Sequence, residues 1–210
     1  MKSIYDKYEI VIGLEVHTQL LTKSKAYCSG TNEFGAIPNT NIGPVSLGLP
    51  GTLPKANKTT IDFGIKLGLA LGSSITEVMH YDRKNYFYPD LPKGYQITQD
   101  RTPICTGGKM LIKTEEGIEK YINITRVHME EDAGKSIHDQ DPYDTLVDLN
   151  RAGVPLLEIV SEPEIKSSTE AYNFLIEVRK LVRYLDICDG NLEEGSMRCD
   201  ANVSVMLKGS

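Results

Sequence analysis

Alternation is the first regularity along this chain. Between residues 8 and 21, Ile10, Ile12, Leu14, Val16 and Leu20 keep one parity, while Glu15, His17 and Gln19 keep the other. Successive side chains of a strand point to opposite faces, so this spacing predicts a strand with one packed face and one polar face. The same period predicts a last strand over 197–206. Met197, Cys199, Ala201, Val203 and Val205 point one way there, and Arg198, Asp200, Asn202 and Ser204 the other. A hairpin is expected from Lys109–Lys113, a Glu-Glu-Gly turn near 115–117, and Ile118–Glu131. A second strand pair is expected at 143–150 and 156–161, joined by Arg151-Ala-Gly-Val-Pro.

Helical spacing replaces alternation over 168–186. Ala171, Phe174, Leu175, Val178, Leu181, Val182 and Leu185 mark one face. Ser167 and Glu170 stand at capping-box spacing before it. Asn57 can cap another helix running to about Leu71. Gly64 and Gly68 cost that helix about 1 kcal/mol each against Ala, but permit close packing. Residues 22–56 are rich in Gly, Pro, Ser, Thr and Asn and predict a long ordered loop with short extended pieces. In 82–99, Tyr86, Phe87, Tyr88 and Tyr95 crowd around Arg83, Lys84 and Lys93, and Pro89, Pro92 and Gly94 argue against a helix. Strands outnumber helices and mostly follow one another, which is the mark of an α+β fold with a largely antiparallel sheet.

Composition narrows the functions. The 210 residues suit one large domain or two small ones. Against 29 acidic residues stand 23 Lys and Arg, a net charge of −6. That excludes a protein that coats nucleic acid through bulk positive charge. The first ten residues contain no apolar run of the kind a signal peptide uses, and no stretch approaches a membrane span. Cys28, Cys105, Cys188 and Cys199 form no C-x-x-C, so reduced thiols in a cytoplasmic protein are expected. The chain stops at Lys-Gly-Ser directly after a strand, as a cut through a domain would leave it.

The polar strand faces carry the candidate chemistry. Glu15 and His17 lie on the first, Glu130, Glu131 and Asp132 near the end of the hairpin, Asp148 and Glu158 on the next pair, and Asp200 on the last. Brought together, they would line a trough of carboxylates with one imidazole, suited to a divalent cation shared with substrate phosphates. Left apart, they are a solvated sheet face. The aromatic and basic segment at 83–95 has the stacking groups and charge to bind a nucleotide or RNA backbone; pinned on the core, it is only a Tyr-rich loop. His80, His128 and His138 stand alone and are expected at the surface or satisfied in the core. The Gly134-Lys135-Ser136 run looks like the tail of a Walker A loop, but Met129 occupies the first glycine position. No Ser or Cys stands in a recognisable nucleophile motif.

Five longer motifs add a resemblance. VIGLEVHTQL at 11–20, DRKNYFYPDLPKGYQI at 82–97, RVHMEEDAGKS at 126–136, DLNRAGVPLLEIVSEPEI at 148–165 and EEGSMRCDANVSV at 193–205 occur in order. Together they closely resemble the B subunit of aspartyl/glutamyl-tRNA amidotransferase (GatB). The resemblance implies a curved antiparallel sheet with flanking helices, like glutamine synthetase and the guanidino kinases. It implies ATP-dependent phosphorylation of the side-chain carboxylate of Glu-tRNA(Gln) or Asp-tRNA(Asn), then amidation with ammonia from an A subunit, in a complex with a small C subunit. It places metal ligands for Mg²⁺, with Mn²⁺ able to substitute, at Glu15, His17, Glu131 and Glu158. Lys84, Tyr86 and Lys93 fall in its nucleotide and ammonia-delivery region, and Arg198 and Asp200 in a motif facing the same site.

Two departures matter. Many family members bind zinc through four cysteines whose places here read Cys28, Gly30, Gly43 and Ser46, so no zinc is expected. Members also continue well beyond the equivalent of Ser210 into helical and tail domains that grip tRNA. Residues 1–210 are thus expected to be the N-terminal part of the catalytic cradle, inactive alone. A metal-dependent hydrolase would instead cleave without ATP. A non-catalytic scaffold would only dock on the A subunit.

Overall fold

The structure, a computed structural model, describes residues 7–209. Residues 1–6, read above for a leader segment, and Ser210 lie outside them. β1 (Tyr8–Gln19) forms where alternation predicts it, with Leu14 and Val16 buried and the residues between them half-buried. A loop carrying the single-turn helix α1 (Pro44–Leu47) leads to α2 (Lys58–Leu71). Asn57 caps α2 by accepting from the Thr59 amide. Gly64 and Gly68 turn towards the sheet. A Cβ on Gly64 would come within 2.7 Å of Ile104 Cδ1, and one on Gly68 would overlap the Cys105 sulfur. The glycines are therefore what lets α2 lie so close.

The short β2 (Ser74–Ile75) precedes β3 (Asp82–Asn85) and β4 (Tyr95–Thr98), which pair with each other. Pro89 and Pro92 exclude a helix, as expected, but fall in the connection, where no ladder amide is needed. Then come β5 (Cys105–Thr106), β6 (Lys109–Lys113) and β7 (Glu119–Glu131), with the expected hairpin between the last two. β8 (Lys135–Ile137) pairs with β9 (Leu146–Asp148), and a 3₁₀ turn at Leu149–Arg151 redirects the chain into β10 (Pro155–Ser161). The pair expected between 143–150 and 156–161 therefore does not form: β9 stays outside the main sheet while β10 enters it. α3 (Ser168–Tyr184) and β11 (Met197–Leu207) complete the fold. Ser167 caps α3 by accepting from the Glu170 amide. The Glu170 carboxylate reaches back to the Lys166 amide, one residue beyond the capping-box partner.

The main sheet is antiparallel throughout, in the order β11-β1-β10-β7-β5-β2, with β6 also on β7. The α+β expectation holds. Both long helices cover one face. There Leu14, Val16, Leu157, Ile159, Val127 and Met129 meet Leu67 and Leu71 of α2 and Phe174, Val178 and Val182 of α3. β11 departs from its expected packed face, because Val203 and Val205 are exposed and only Met197 is fully buried. No described helix is long and apolar enough to cross a membrane.

One irregularity decides the site. Opposite β10, Arg126 faces Val160 but Ile124 faces Ser161, so Thr125 is an extra residue in β7. Buried apolar positions run Ile122, Ile124 before this bulge and Val127, Met129 after it. The faces of β7 exchange parity there.

Candidate active site

On the face away from the helices, strand register lines up polar residues in rows. Arg198, His17, Glu158 and His128 stand side by side on β11, β1, β10 and β7. One neighbouring row holds Asp200, Glu15, Val160 and Arg126, and the other Gln19, Leu156 and Glu130. The β3–β4 pair closes over the end of β7, where Thr98 Oγ1 donates to Glu130 Oε1 at 2.6 Å and Gln96 Nε2 to Glu130 Oε2 at 3.0 Å. Between them opens a cavity of about 880 Å³, a volume suited to a nucleotide-sized ligand.

Two imidazoles bracket one carboxylate oxygen. His17 Nε2 lies 3.1 Å and His128 Nε2 3.2 Å from Glu158 Oε2, and His128 Nε2 is also 3.2 Å from Glu130 Oε1. Burial disfavours the charged form of each group, but the hydrogen bonds among them prevail. They push His128 up to about 9, raise His17, lower Glu130, and hold Glu158 far below the usual carboxylate range. One donor atom each from His17, Glu130 and Glu158 lies within 4.8 Å of the other two. Two carboxylates and an imidazole on a rigid sheet fit a divalent cation that keeps open positions for a ligand.

Glu131 is not part of this cluster, which corrects the expectation that it would join His17 and Glu158. The bulge puts it on the opposite face of β7, where its carboxylate accepts from Lys93 Nζ and from the Ile97 amide at 3.0 Å. Burial, only partly offset by Lys93, raises its pKa. Lys93 is thereby turned away from the cavity as well, a second correction. Lys84 and Tyr86 line the cavity wall. Arg198 donates to Asp132 at 2.7 Å, as does Gln19 at 2.8 Å. Glu15 accepts from Asn202 at 2.9 Å. Asp200 is mostly exposed, 3.9 Å from His17 Nδ1. Asp148 instead caps the 3₁₀ turn. Cys28 Sγ lies 3.7 Å from Ser46 Oγ, close to Gly30, while a Cβ on Gly43 would meet no atom within 4 Å.

His128, read as solitary, is at the centre of the site. A signal for it existed: His128-x-Glu130 mirrors Glu15-x-His17 at the same strand spacing. Gln96, Thr98 and Arg126 carried no comparable signal.

Fold and site together define an α+β domain with a candidate divalent-metal centre on its open sheet face. The family model described as the GatB/GatE catalytic domain matches residues 10–210, and the chain belongs to that family. Over 203 residues it is 58% identical to the B subunit of the aspartyl/glutamyl-tRNA(Asn/Gln) amidotransferase of Myxococcus xanthus, covering 97% of this chain and 42% of that protein. The proteins of the same description from Thermodesulfovibrio yellowstonii and Clostridium botulinum are each 55% identical, with the same coverage. The chain thus spans 42% of the length of these relatives.

Proposed function

We propose that this chain is the N-terminal part of the catalytic cradle of the B subunit in a tRNA-dependent amidotransferase. Its site takes ATP and the side-chain carboxylate of Glu-tRNA(Gln) or Asp-tRNA(Asn). A carboxylate oxygen attacks the γ-phosphorus and ADP leaves; ammonia then attacks the acyl phosphate and inorganic phosphate leaves. Phosphoryl transfer calls for positioning and cations rather than a protein nucleophile. His17, Glu130 and Glu158 would hold Mg²⁺ or Mn²⁺, with Glu15 nearby. A bound ion would neutralise charge on the phosphate oxygens. Lys84 and Tyr86 would face the nucleotide. Arg198 and Gln19 fix Asp132 on the cavity wall. The partners would be an ammonia-supplying A subunit and a C subunit, zinc would play no part, and the four free thiols suit a cytoplasmic protein.

The observation that carries this reading is the convergence of His17, Glu130 and Glu158 inside a cavity also lined by Lys84 and Arg126. The test uses the complete protein with its partner subunits and misacylated tRNA. Glu130→Gln should abolish tRNA-dependent ADP formation and leave assembly of the complex intact. Full ADP formation by that variant would overturn the site assignment. Assembly without ADP formation by the unaltered protein would favour a scaffold, and metal-dependent cleavage without ATP a hydrolase.

A further inference from the structure

One part-buried cation on the open face has no salt bridge among the described residues. Arg126 lies two residues before His128 on β7, between Val160 of β10 and Thr106 of β5. Its Nε is enclosed without an acceptor, and among the described residues its guanidinium makes no salt bridge. Of the other arginines of the cavity wall, Arg83 and Arg101 are exposed. Arg198 and Arg151 both lie against Asp132, at 2.7 and 3.7 Å, and Arg83 sits 5.2 Å above the Tyr95 ring. Glu130 and Glu158, one and two rows from Arg126, are engaged by imidazoles. A guanidinium stays charged at any working pH, so an enclosed N–H of this kind needs an acceptor from elsewhere. Its planar fork matches a phosphoryl group better than a point charge does.

We propose that Arg126 binds the phosphoryl groups of the nucleotide, with Lys84 and Arg101 as the exposed cations of the same cavity. This rests on the ATP-dependent reading above. Arg126 and His128 stand about 7 Å apart along the strand, so a polyphosphate held by the guanidinium reaches the His17–Glu130–Glu158 cluster. One end of the anion would meet the fork and the other the metal donors. The acids Glu15 and Asp200 stand away from Arg126, at the β1–β11 end of the same row.

The experiment measures equilibrium binding of Mg·ATP, and of Mn²⁺ alone, to the complete protein with its partner subunits. Arg126→Gln should weaken Mg·ATP binding tenfold or more. Arg126→Lys should weaken it by a smaller factor, because the charge remains and the fork is lost. Mn²⁺ affinity and melting temperature should hold in both. If Arg126→Gln does not fold, the lysine variant decides: a loss of threefold or more supports the assignment. ATP affinity within twofold of the unaltered protein overturns it and leaves the ATP-dependent reading standing. Parallel losses of ATP and Mn²⁺ affinity also overturn it, since the arginine would then only shape the sheet face. A loss confined to tRNA binding would reassign the guanidinium to the RNA backbone. No Mg·ATP binding by the unaltered protein would overturn the underlying reading and this proposal together.

Discussion

Glu130 and Glu131 are consecutive, both about 97% removed from solvent, and put to opposite uses. Glu130 faces the open side, held by the neutral donors Gln96 and Thr98 and by His128. Glu131 faces the closed side, neutralised by Lys93 and tied to the β4 backbone at Ile97. A carboxylate whose charged partner is an imidazolium recovers its charge for a metal ion when that ring gives up its proton. One already paired with an ammonium has no such charge to offer, but it anchors a hairpin. The difference separates binding from architecture within two residues.

That contrast can be broken most severely at Lys93. Lys93→Met would leave Glu131 buried with only the Ile97 amide, and breaking such a pair costs about 3–5 kcal/mol. Urea unfolding should report a loss of that size; under 1 kcal/mol would mean that the closed-side pair anchors nothing. The open side should respond to pH instead. His128 has its pKa raised, so its contribution is full below the ordinary histidine value of 6.5 and fades as pH rises through about 9. In chelator-treated protein the unfolding free energy should fall by roughly 1–3 kcal/mol over that window. His128→Gln should flatten the profile, and an unchanged slope would count against the hydrogen-bonded cluster.

Two glycines compare the faces in packing. Gly68→Ala drives a methyl into Cys105 and should destabilise by about 1–3 kcal/mol. Gly13→Ala, whose Cβ meets nothing closer than 3.9 Å, should stay within about 0.5 kcal/mol. Equal melting shifts would contradict the difference in closeness. A modest effect is also expected at Thr98→Ala. Glu130 keeps its Gln96 bond, so stability should drop by about 1 kcal/mol, with Mn²⁺ affinity down a few-fold by titration. Unaltered Mn²⁺ affinity would show that β4 does not orient Glu130.

Much of this architecture was legible in the chain. Unbroken alternation announced β1, 3–4 spacing behind Ser167 announced α3, and the capping Asn57 announced α2. The β3–β4 pair was hidden because its strands are four residues each and its connection holds both prolines. Where alternation is regular, it placed Glu15, His17 and Glu158 on the polar face that lines the cavity. Glu131, placed with them by the resemblance, lies on the other face because the extra Thr125 exchanges the faces of β7, and a bulge leaves no compositional mark. Arg126 became visible only when β10 was laid beside β7.

The place of β1 in the sheet also has a consequence for synthesis. Its neighbours are β10 and β11, and the Thr18 hydroxyl bonds the Leu157 carbonyl, 139 residues on. At about 5–20 residues per second, β1 leaves the ribosome roughly 7–28 seconds before β10, the nearer of its two partners. During that interval its alternating Ile, Leu and Val face has no native partner. The cluster on His17 cannot assemble until β10 has been made. Nascent-chain folding of this protein should therefore begin around α2 and the β6–β7 hairpin, whose contacts are local, and end with the capture of the first strand by the late ones.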